Sequence, residues 1–287
     1  MTNTGQFDMN AAPLRIGTVR LKVRDLAMVS AFYRNVLGLS TVATGQARVT
    51  LGAGDTPLLE LEGDEGLAPL DPRQAGLFHT AFLMPSRPDL ARWLAHAAGT
   101  GVSIQGASDH IVSEAIYLAD PEGNGIEVYA DRPAADWQTA GGEVQMATDP
   151  LDVQGLLASA GASLWQGFPE DGRIGHVHLQ VGTTDAADGF YRDLLGFDIA
   201  ARYPGASFYG SGGYHHQLAG NIWNSRGAPP RKPGHAGLEM LEIVVGDGER
   251  LEALAEKAAA AGLEADAGEG ELRLDDPWGT LVLIRAG

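Results

Sequence analysis

The chain has 287 residues, of which 44% are hydrophobic, so it can bury a core in one large or two ordinary domains. Its 20 basic and 37 acidic side chains leave a net charge of −17, which argues against nucleic acid or an anionic membrane as a partner. Because cysteine is absent, disulfides, thiolate nucleophiles and Cys-based metal sites are excluded, and any metal must be held by histidine and carboxylate.

The start of the chain is polar over residues 1–13 and lacks the apolar run of a signal peptide. No segment of the sequence approaches the roughly 18 consecutive apolar residues of a membrane span. We therefore expect a cytoplasmic protein whose residues 1–12 are frayed.

The segment that follows predicts a β-α-β-β-β unit. An alternating strand at 18–23 leads to a helix at 26–37, because apolar residues recur there at helical spacing and Gly38 is a typical helix stop. Turn-forming residues then separate three short strands, near 39–44, 47–51 and 58–61.

The next segment predicts the same unit again. It has a strand at 77–83, a helix at 88–99 and three further strands at 102–105, 114–119 and 125–130. A strong turn signal beginning Asp120-Pro121 precedes the last of these strands.

Internal repeats extend this pattern over the whole chain. Residues 173–175 repeat 15–17, and the turn at 276–279 answers the turn at 120–123. Because one module cannot cover its sheet with a single helix, modules must pair. The predicted fold class is α+β, with four βαβββ modules pairing into two open, barrel-like mixed sheets. The predicted organisation is an N-terminal domain at 1–135 (modules 15–64 and 75–132), a linker at 136–172 with a helix at 151–159, and a C-terminal domain at 173–287 (modules 173–224 and 236–286).

Aligned copies show where ligand-type side chains occur. The first strands of the four modules carry Thr18, His79, His176 and Met240 in turn. The last strands carry, in the same order, Leu58, Glu127, His216 and Leu283. The metal-capable residues are therefore confined to modules two and three. Pairing of modules one with two and three with four would split them, whereas pairing of two with three would gather them in one cleft.

Two histidines and a carboxylate on one face of an ion, with other positions open, are typical of non-haem iron(II) oxygenases. An ionised Glu127 would keep the charge of such a site low, while neutral imidazoles donate lone pairs. The purely structural alternatives are a core histidine at His79 and a salt bridge from Glu127 to Arg132.

The chain resembles the vicinal oxygen chelate superfamily, which includes glyoxalases, fosfomycin-resistance proteins and type I extradiol dioxygenases. The resemblance is closest to the bacterial catechol-2,3-dioxygenase-like proteins. It rests on residues 76–79, 109–110, 112–121, 123–129, 174–179 and 212–216. It implies iron(II) and oxygen-dependent cleavage of an aromatic vicinal diol beside one hydroxyl, with His79, Glu127 and His176 as metal ligands. The chain departs from two-barrel dioxygenases, whose ligands usually come from the C-terminal pair, in having Met240 and Leu283 there.

Other side chains are candidates for catalysis or substrate binding. His216, His215 and His110 are acid/base candidates; neighbouring His215 and His216 would face opposite sides of a regular strand, so only one of them would enter the cleft. His216 could instead be a fourth metal ligand, and His110 could be a surface turn residue. The expected substrate pocket is formed by Tyr129, His178, Tyr214 and Trp223.

Three functional hypotheses follow. The first is an extradiol dioxygenase that uses Fe(II), with Mn, Ni or Zn as alternative metals, and that takes a small aromatic substrate and O2. The second is a glyoxalase-type isomerase, lyase or transferase on the same metal scaffold, which four ligands would suit better. The third is a non-catalytic protein that binds an aromatic compound. No nucleic acid or membrane partner is expected, and a homo-oligomer is left open.

Overall fold

The computed structural model describes residues 5–264, 266–268 and 270–287. Its α-helices are α1 (Leu26–Phe32), α2 (Arg87–Thr100), α3 (Val153–Ala158), α4 (Thr184–Ala187) and α5 (Gly248–Ala260). Its strands are β1 (Leu14–Val23), β2 (Ser40–Thr44), β3 (Arg48–Ala53), β4 (Thr56–Gly63), β5 (Gly76–Leu83), β6 (Gly106–Asp109), β7 (Ser113–Ala119), β8 (Gly125–Asp131), β9 (Thr139–Ala140), β10 (Glu143–Val144), β11 (Asp149–Pro150), β12 (Arg173–Gln180), β13 (Asp198–Tyr203), β14 (Ala206–Gly210), β15 (Leu218–Asn221), β16 (Gly237–Val245), β17 (Asp266–Gly268), β18 (Glu271–Asp275) and β19 (Leu281–Ala286). Within the described ranges, no helix is long and apolar enough to cross a membrane.

Two large mixed sheets organise these strands. One has the order β17-β18-β19-β16-β1-β4-β3-β2, and it combines module one with module four. The other has the order β11-β6-β7-β8-β5-β12-β15-β14-β13, and it combines module two with module three. The predicted fold class is confirmed, with modules pairing across the chain rather than in sequence.

The join between modules is the same in both sheets. In one, β5 runs antiparallel to β12 with His79 opposite His178; in the other, β1 runs antiparallel to β16 with Arg20 opposite Met240. Both sheets therefore take strands from each side of the predicted linker. The division into an N-terminal and a C-terminal domain stays a prediction, and strand pairing crosses it.

Local sequence explains why the helices begin and end where they do. The side chain of Asp25 accepts a hydrogen bond from the N–H of Met28 at the start of α1. The chain continues from α1 into a short π-helix at Tyr33–Leu37. This segment ends at Gly38, which has a left-handed conformation (φ 75°). At α2, Ser86 is the cap, and Trp93 donates to the carbonyl of Val36 at 2.9 Å, which joins the helices of modules one and two.

Two expectations need correction. The predicted strand at 102–105 is wrong, because the ladder with β7 begins at Gly106, opposite Tyr117, and residues 102–105 are not paired in it; the strand is β6. Residues 5–12 are packed rather than frayed: Met9 is buried, and the ring of Phe7 lies 5.0 Å from that of Tyr214. Residues 1–4 of the expected frayed segment lie outside the described residues.

A repeated tyrosine–aspartate hydrogen bond connects the modules in sequence. Tyr33 donates to Asp120 at 3.3 Å, and Tyr191 donates to Asp276 at 2.9 Å. Each aspartate also accepts backbone N–H groups of its own turn, from residues 122 and 124 or from residues 278 and 280. Since Tyr33 belongs to module one and Asp120 to module two, whose strands lie in different sheets, this bond helps to fix the two sheets together.

We predict that Tyr191→Phe lowers the free energy of unfolding by about 1–2 kcal/mol, because a buried carboxylate loses one of its donors. Urea denaturation measures the change. Tyr203→Phe removes a hydroxyl from an exposed side chain and is the matched control, with an effect within about 0.5 kcal/mol. Equal stability of the two variants would contradict a structural role for the bond.

Candidate metal centre

Three neighbouring strands in the nine-stranded sheet, β8, β5 and β12, carry the predicted ligands Glu127, His79 and His176. In the ladder, Glu127 lies beside Ala81, two residues from His79 and so on the same face. His178 lies opposite His79, which places His176 on that face as well. Strand register therefore brings together residues that are far apart in the sequence.

The geometry of these three side chains is compact. Glu127 Oε2 lies 2.9 Å from His79 Nε2 and 3.2 Å from His176 Nε2. One ligand atom from each residue lies within 4.8 Å of the others, and all three residues are buried. Among the described residues, this is the group whose donor atoms could hold a metal ion, and it does not include His216.

The electrostatics of the group fit a cation. Burial alone would raise the pKa of Glu127, but His176 and His79 hold that pKa well below its usual range, so the carboxylate is ionised. Burial lowers the pKa of His176, which favours the neutral imidazole that a metal needs. Within the described part of the chain, His79 Nε2 and His176 Nδ1 have no partner in hydrogen-bond geometry. Buried, unpartnered imidazole nitrogens beside an ionised carboxylate suit a divalent metal.

A glycine makes room behind the group. A Cβ on Gly175 would meet the hydroxyl of Tyr129 at 1.8 Å, so only glycine lets this ring approach β12. The Tyr129 ring packs 4.9 Å from that of His176 and is fully buried. Tyr129 therefore packs directly against a predicted ligand. Tyr129 and Tyr214, both expected on the pocket wall, are fully buried and are not among the residues that line the cleft.

Tyr117 is a site residue that sequence reasoning missed. It lies directly opposite Glu127 in the β7–β8 ladder, and its hydroxyl contacts His110 Nε2 at 2.5 Å. Burial, followed by the nearby Glu127 charge, raises the pKa of Tyr117 well above its usual value, so the phenol stays protonated. Period-two alternation through β7 could have pointed to it. His110 Nδ1 lies 2.6 Å from the carbonyl of Ala147 and must donate to it, so in the neutral ring Nε2 accepts from Tyr117.

His215 and His216 reach the site differently from the expectation. They lie in the irregular segment between β14 and β15, not on a strand, so the two rings are not forced to opposite faces. His216 lines the cleft, with its ring 4.2 Å from that of His176, whereas His215 is buried behind it. His178 follows His176 by two residues, as Ala81 follows His79, so His178 and Ala81 are equivalent. Ala219 pairs with His178, and Glu127 pairs with Ala81. Ala219, rather than His216, is therefore at the position equivalent to Glu127.

A chain of hydrogen bonds determines which nitrogen of His216 carries a proton. Asp131 accepts from the hydroxyl of Tyr214 at 2.9 Å and lies 2.9 Å from His215 Nε2. As an acceptor, the carboxylate requires a proton on that Nε2, so Nδ1 of a neutral His215 must accept. His215 Nδ1 lies 2.9 Å from His216 Nδ1, which must therefore donate. Burial lowers the pKa of His216 well below its usual value, so its Nε2 is left unprotonated.

The cleft in front of these residues has a volume of about 740 Å³. His79, Glu127 and His176 lie on its wall, together with His178, His110 and Trp223. Asn221 donates to His178 Nε2 at 3.0 Å, and burial lowers the pKa of His178, so this ring is neutral. Residues 143–148 of the predicted linker also line the cleft, a role that the sequence did not indicate.

Comparison with known proteins places this arrangement in a family. Residues 15–128 and 173–282 match the Glyoxalase/Bleomycin resistance protein/Dioxygenase superfamily. The chain belongs to this superfamily. It is 40% identical, over 267 residues, to the catechol-2,3-dioxygenase of Bacillus subtilis (strain 168), covering 91% of this chain and 93% of that protein. The predicted family is thus confirmed, and this relative supports the prediction of a dioxygenase.

Two solved structures have the same fold. Glyoxalase I from Zea mays has a TM-score of 0.57 at 16% identity and covers 95% of this chain and 92% of its own. The cppA protein of Streptococcus pneumoniae has a TM-score of 0.54 at 15% identity, with 96% and 99% covered. At these identities the likeness concerns the fold alone.

In the eight-stranded sheet, different residues occupy the positions equivalent to the predicted ligands. Arg20 is equivalent to His178, because each lies two residues after the aligned positions Thr18 and His176. Glu60 pairs with Arg20 as Ala219 pairs with His178. Glu60, not Leu58, is therefore at the position equivalent to Glu127. Arg20 bonds to Glu60 at 2.6 Å and neutralises it. The carboxylate is therefore retained, but a guanidinium replaces the imidazoles around it.

We predict that Glu127→Gln lowers metal affinity by more than roughly hundredfold. Removing the hydrogen-bond partner of a ligand already lowers metal affinity by about 10- to 100-fold, and replacing the ligand itself should lower it further. Metal content after anaerobic loading with iron(II), measured by elemental analysis, tests this. Glu60→Gln, at the equivalent position in the other sheet, is the matched control and should keep its metal. Equal loss in both variants would place the metal elsewhere.

Proposed function

We propose that this superfamily member is a metal-dependent extradiol dioxygenase, which cleaves the ring of an aromatic vicinal diol beside one hydroxyl and inserts both atoms of O2. The observation that carries the proposal is the buried group of His79, Glu127 and His176 in the cleft of a chain that is 40% identical to a catechol-2,3-dioxygenase. Two imidazoles and one carboxylate leave open positions for substrate and oxygen.

His79, Glu127 and His176 would hold the metal, for which iron(II) is our first choice. A ferrous ion held there would supply Lewis acidity toward the diol and redox chemistry toward dioxygen. The three residues carry a single negative charge between them when the imidazoles are neutral. Because the chain supplies only this charge, a bound diol can lose a proton without building up excess negative charge.

The chain's own residues would handle the protons. His216 presents an unprotonated Nε2 to the cleft, so it can accept a proton from a substrate hydroxyl and return it later. Asp131 would stabilise the single positive charge that His216 then carries, acting through His215. Tyr117, whose proton is directed to His110, would keep its oxygen lone pairs available to a substrate hydroxyl.

We also propose a cytoplasmic enzyme of aromatic-compound breakdown. Its support is the absence of cysteine, the acidic composition and the named relative. Oligomeric state stays a prediction.

The reaction type has a direct test. Protein loaded anaerobically with iron(II) should consume one molecule of O2 for each catechol and form a yellow ring-opened product. Anaerobic protein should give no product. Isomerisation of a hemithioacetal without oxygen would instead identify a glyoxalase-type enzyme, and tight catechol binding without turnover would identify a binding protein.

We predict that Asp131→Asn lowers kcat by roughly tenfold or more with little change in metal content. The amide NH2 of this variant can donate to His215 Nε2, and His215 Nδ1 would then carry the proton and donate to His216 Nδ1. The proton of His216 would lie on Nε2, which faces the cleft and could no longer accept a proton. Asp136→Asn, on an exposed residue nearby, is the control. Unchanged kcat in Asp131→Asn would remove this chain of residues from the mechanism.

A further inference from the structure

We infer that the substrate is an uncharged catechol that carries an apolar, preferably aromatic, ring substituent. The inference rests on the proposed function and concerns the part of the cleft beyond the metal ligands. Its volume, its aromatic wall and the absence of a free cation among the described residues that line it each point to the same class of ligand.

The size of the cleft exceeds the needs of a bare catechol. Its volume of about 740 Å³ lies in the range of roughly 300–1,000 Å³ that holds drug-sized ligands. Catechol is one ring with two hydroxyl groups, and it would leave most of this space to water. A ring substituent would fill it and displace that water.

An aromatic wall leads from the predicted ligands to the rim. Next to His79, the Phe78 ring lies 5.0 Å from the His178 ring and 5.5 Å from Trp223. Phe208 lies 5.7 Å from His178 and also faces the cleft. This wall offers apolar faces and edges at the spacing that aromatic rings prefer.

Two aromatic side chains at the rim are unusually exposed. Trp223 is 46% exposed and Tyr203 is 55% exposed, and both line the cleft. Trp223 is nevertheless held in place, since its Nε1 donates to the carbonyl of Pro204 at 3.0 Å. A rigid, half-exposed indole at the mouth of a cleft is suited to cover an apolar group of a ligand.

The charges on the wall disfavour an acidic substrate. Besides histidine, the charged residues that line the cleft are Glu127, Glu143 and Arg202. The only cation among them, Arg202, donates to Asp188 at 2.7 Å and to Ser207 at 3.0 Å, so its charge is already compensated. A carboxylate on the substrate would thus be desolvated without a cation to receive it. The chain's net charge of −17 adds to this effect.

The test compares three probes: catechol, 3-phenylcatechol and 3,4-dihydroxybenzoate. For the iron-loaded enzyme, kcat/KM should be about tenfold or more higher for 3-phenylcatechol than for catechol, and lowest for the dihydroxybenzoate. Anaerobic calorimetry should give the same order of affinities. A dihydroxybenzoate that reacts or binds as well as 3-phenylcatechol would overturn the inference, as would equal values for catechol and 3-phenylcatechol.

Variants connect the preference to the wall. Trp223→Ala should lower kcat/KM for 3-phenylcatechol by about tenfold and for catechol by less, whereas Trp223→Phe should retain the preference. Trp165→Ala, a tryptophan stacked on His96 outside the cleft, is the matched control. Loss of activity in parallel for both probes in Trp223→Ala would overturn the assignment of the wall to the substituent.

The two proposals can fail separately. If no catechol supports oxygen uptake, the dioxygenase proposal fails, while calorimetry still ranks the three probes as ligands. If oxygen uptake occurs with the opposite ranking, the dioxygenase proposal stands and the substrate class inferred here is wrong.

Discussion

The antiparallel pairing of β5 with β12 is the constraint on which the rest of the structure depends. It sets His79 and His176 side by side although 97 residues separate them in the sequence (176 − 79). Neither module two nor module three contains the whole group of ligand-type residues, and the two modules meet edge to edge in one sheet. Pairing the free edges of β5 and β12 and assembling the site are thus the same event.

Burial then determines the protonation of the assembled group. Charging a buried imidazole is unfavourable, and burial accordingly lowers the pKa values of His178 and His216. Glu127 stays ionised in the same region, because His176 and His79 hold its pKa well below the usual range despite burial. One ionised carboxylate among neutral rings is a donor set that could hold a metal ion.

Repeats in the sequence were sufficient to predict the modules, the fold class and the convergence of His79, Glu127 and His176. They failed where the repeat is irregular. The segment before β15 is not a strand, so an offset counted along the chain could not locate His216 or show that Ala219 occupies the equivalent position. A small error of register within a strand changes which residue faces the cleft, so such a count is least reliable at strand ends. Tyr117 was missed for a different reason: a half-buried tyrosine on a strand has no evident role until its cross-strand neighbour is known.

Pairing between distant modules also has a consequence for how the chain folds. In the other sheet, Val19 pairs with Leu241, a separation of 222 residues (241 − 19). During synthesis β1 must wait for nearly the whole chain before its partner emerges from the ribosome, whereas β5 and β12 can pair much earlier. Such long-range contacts slow folding and leave an apolar strand edge exposed meanwhile. The sheet that carries the candidate site can therefore form first and provide the surface on which the outer modules assemble.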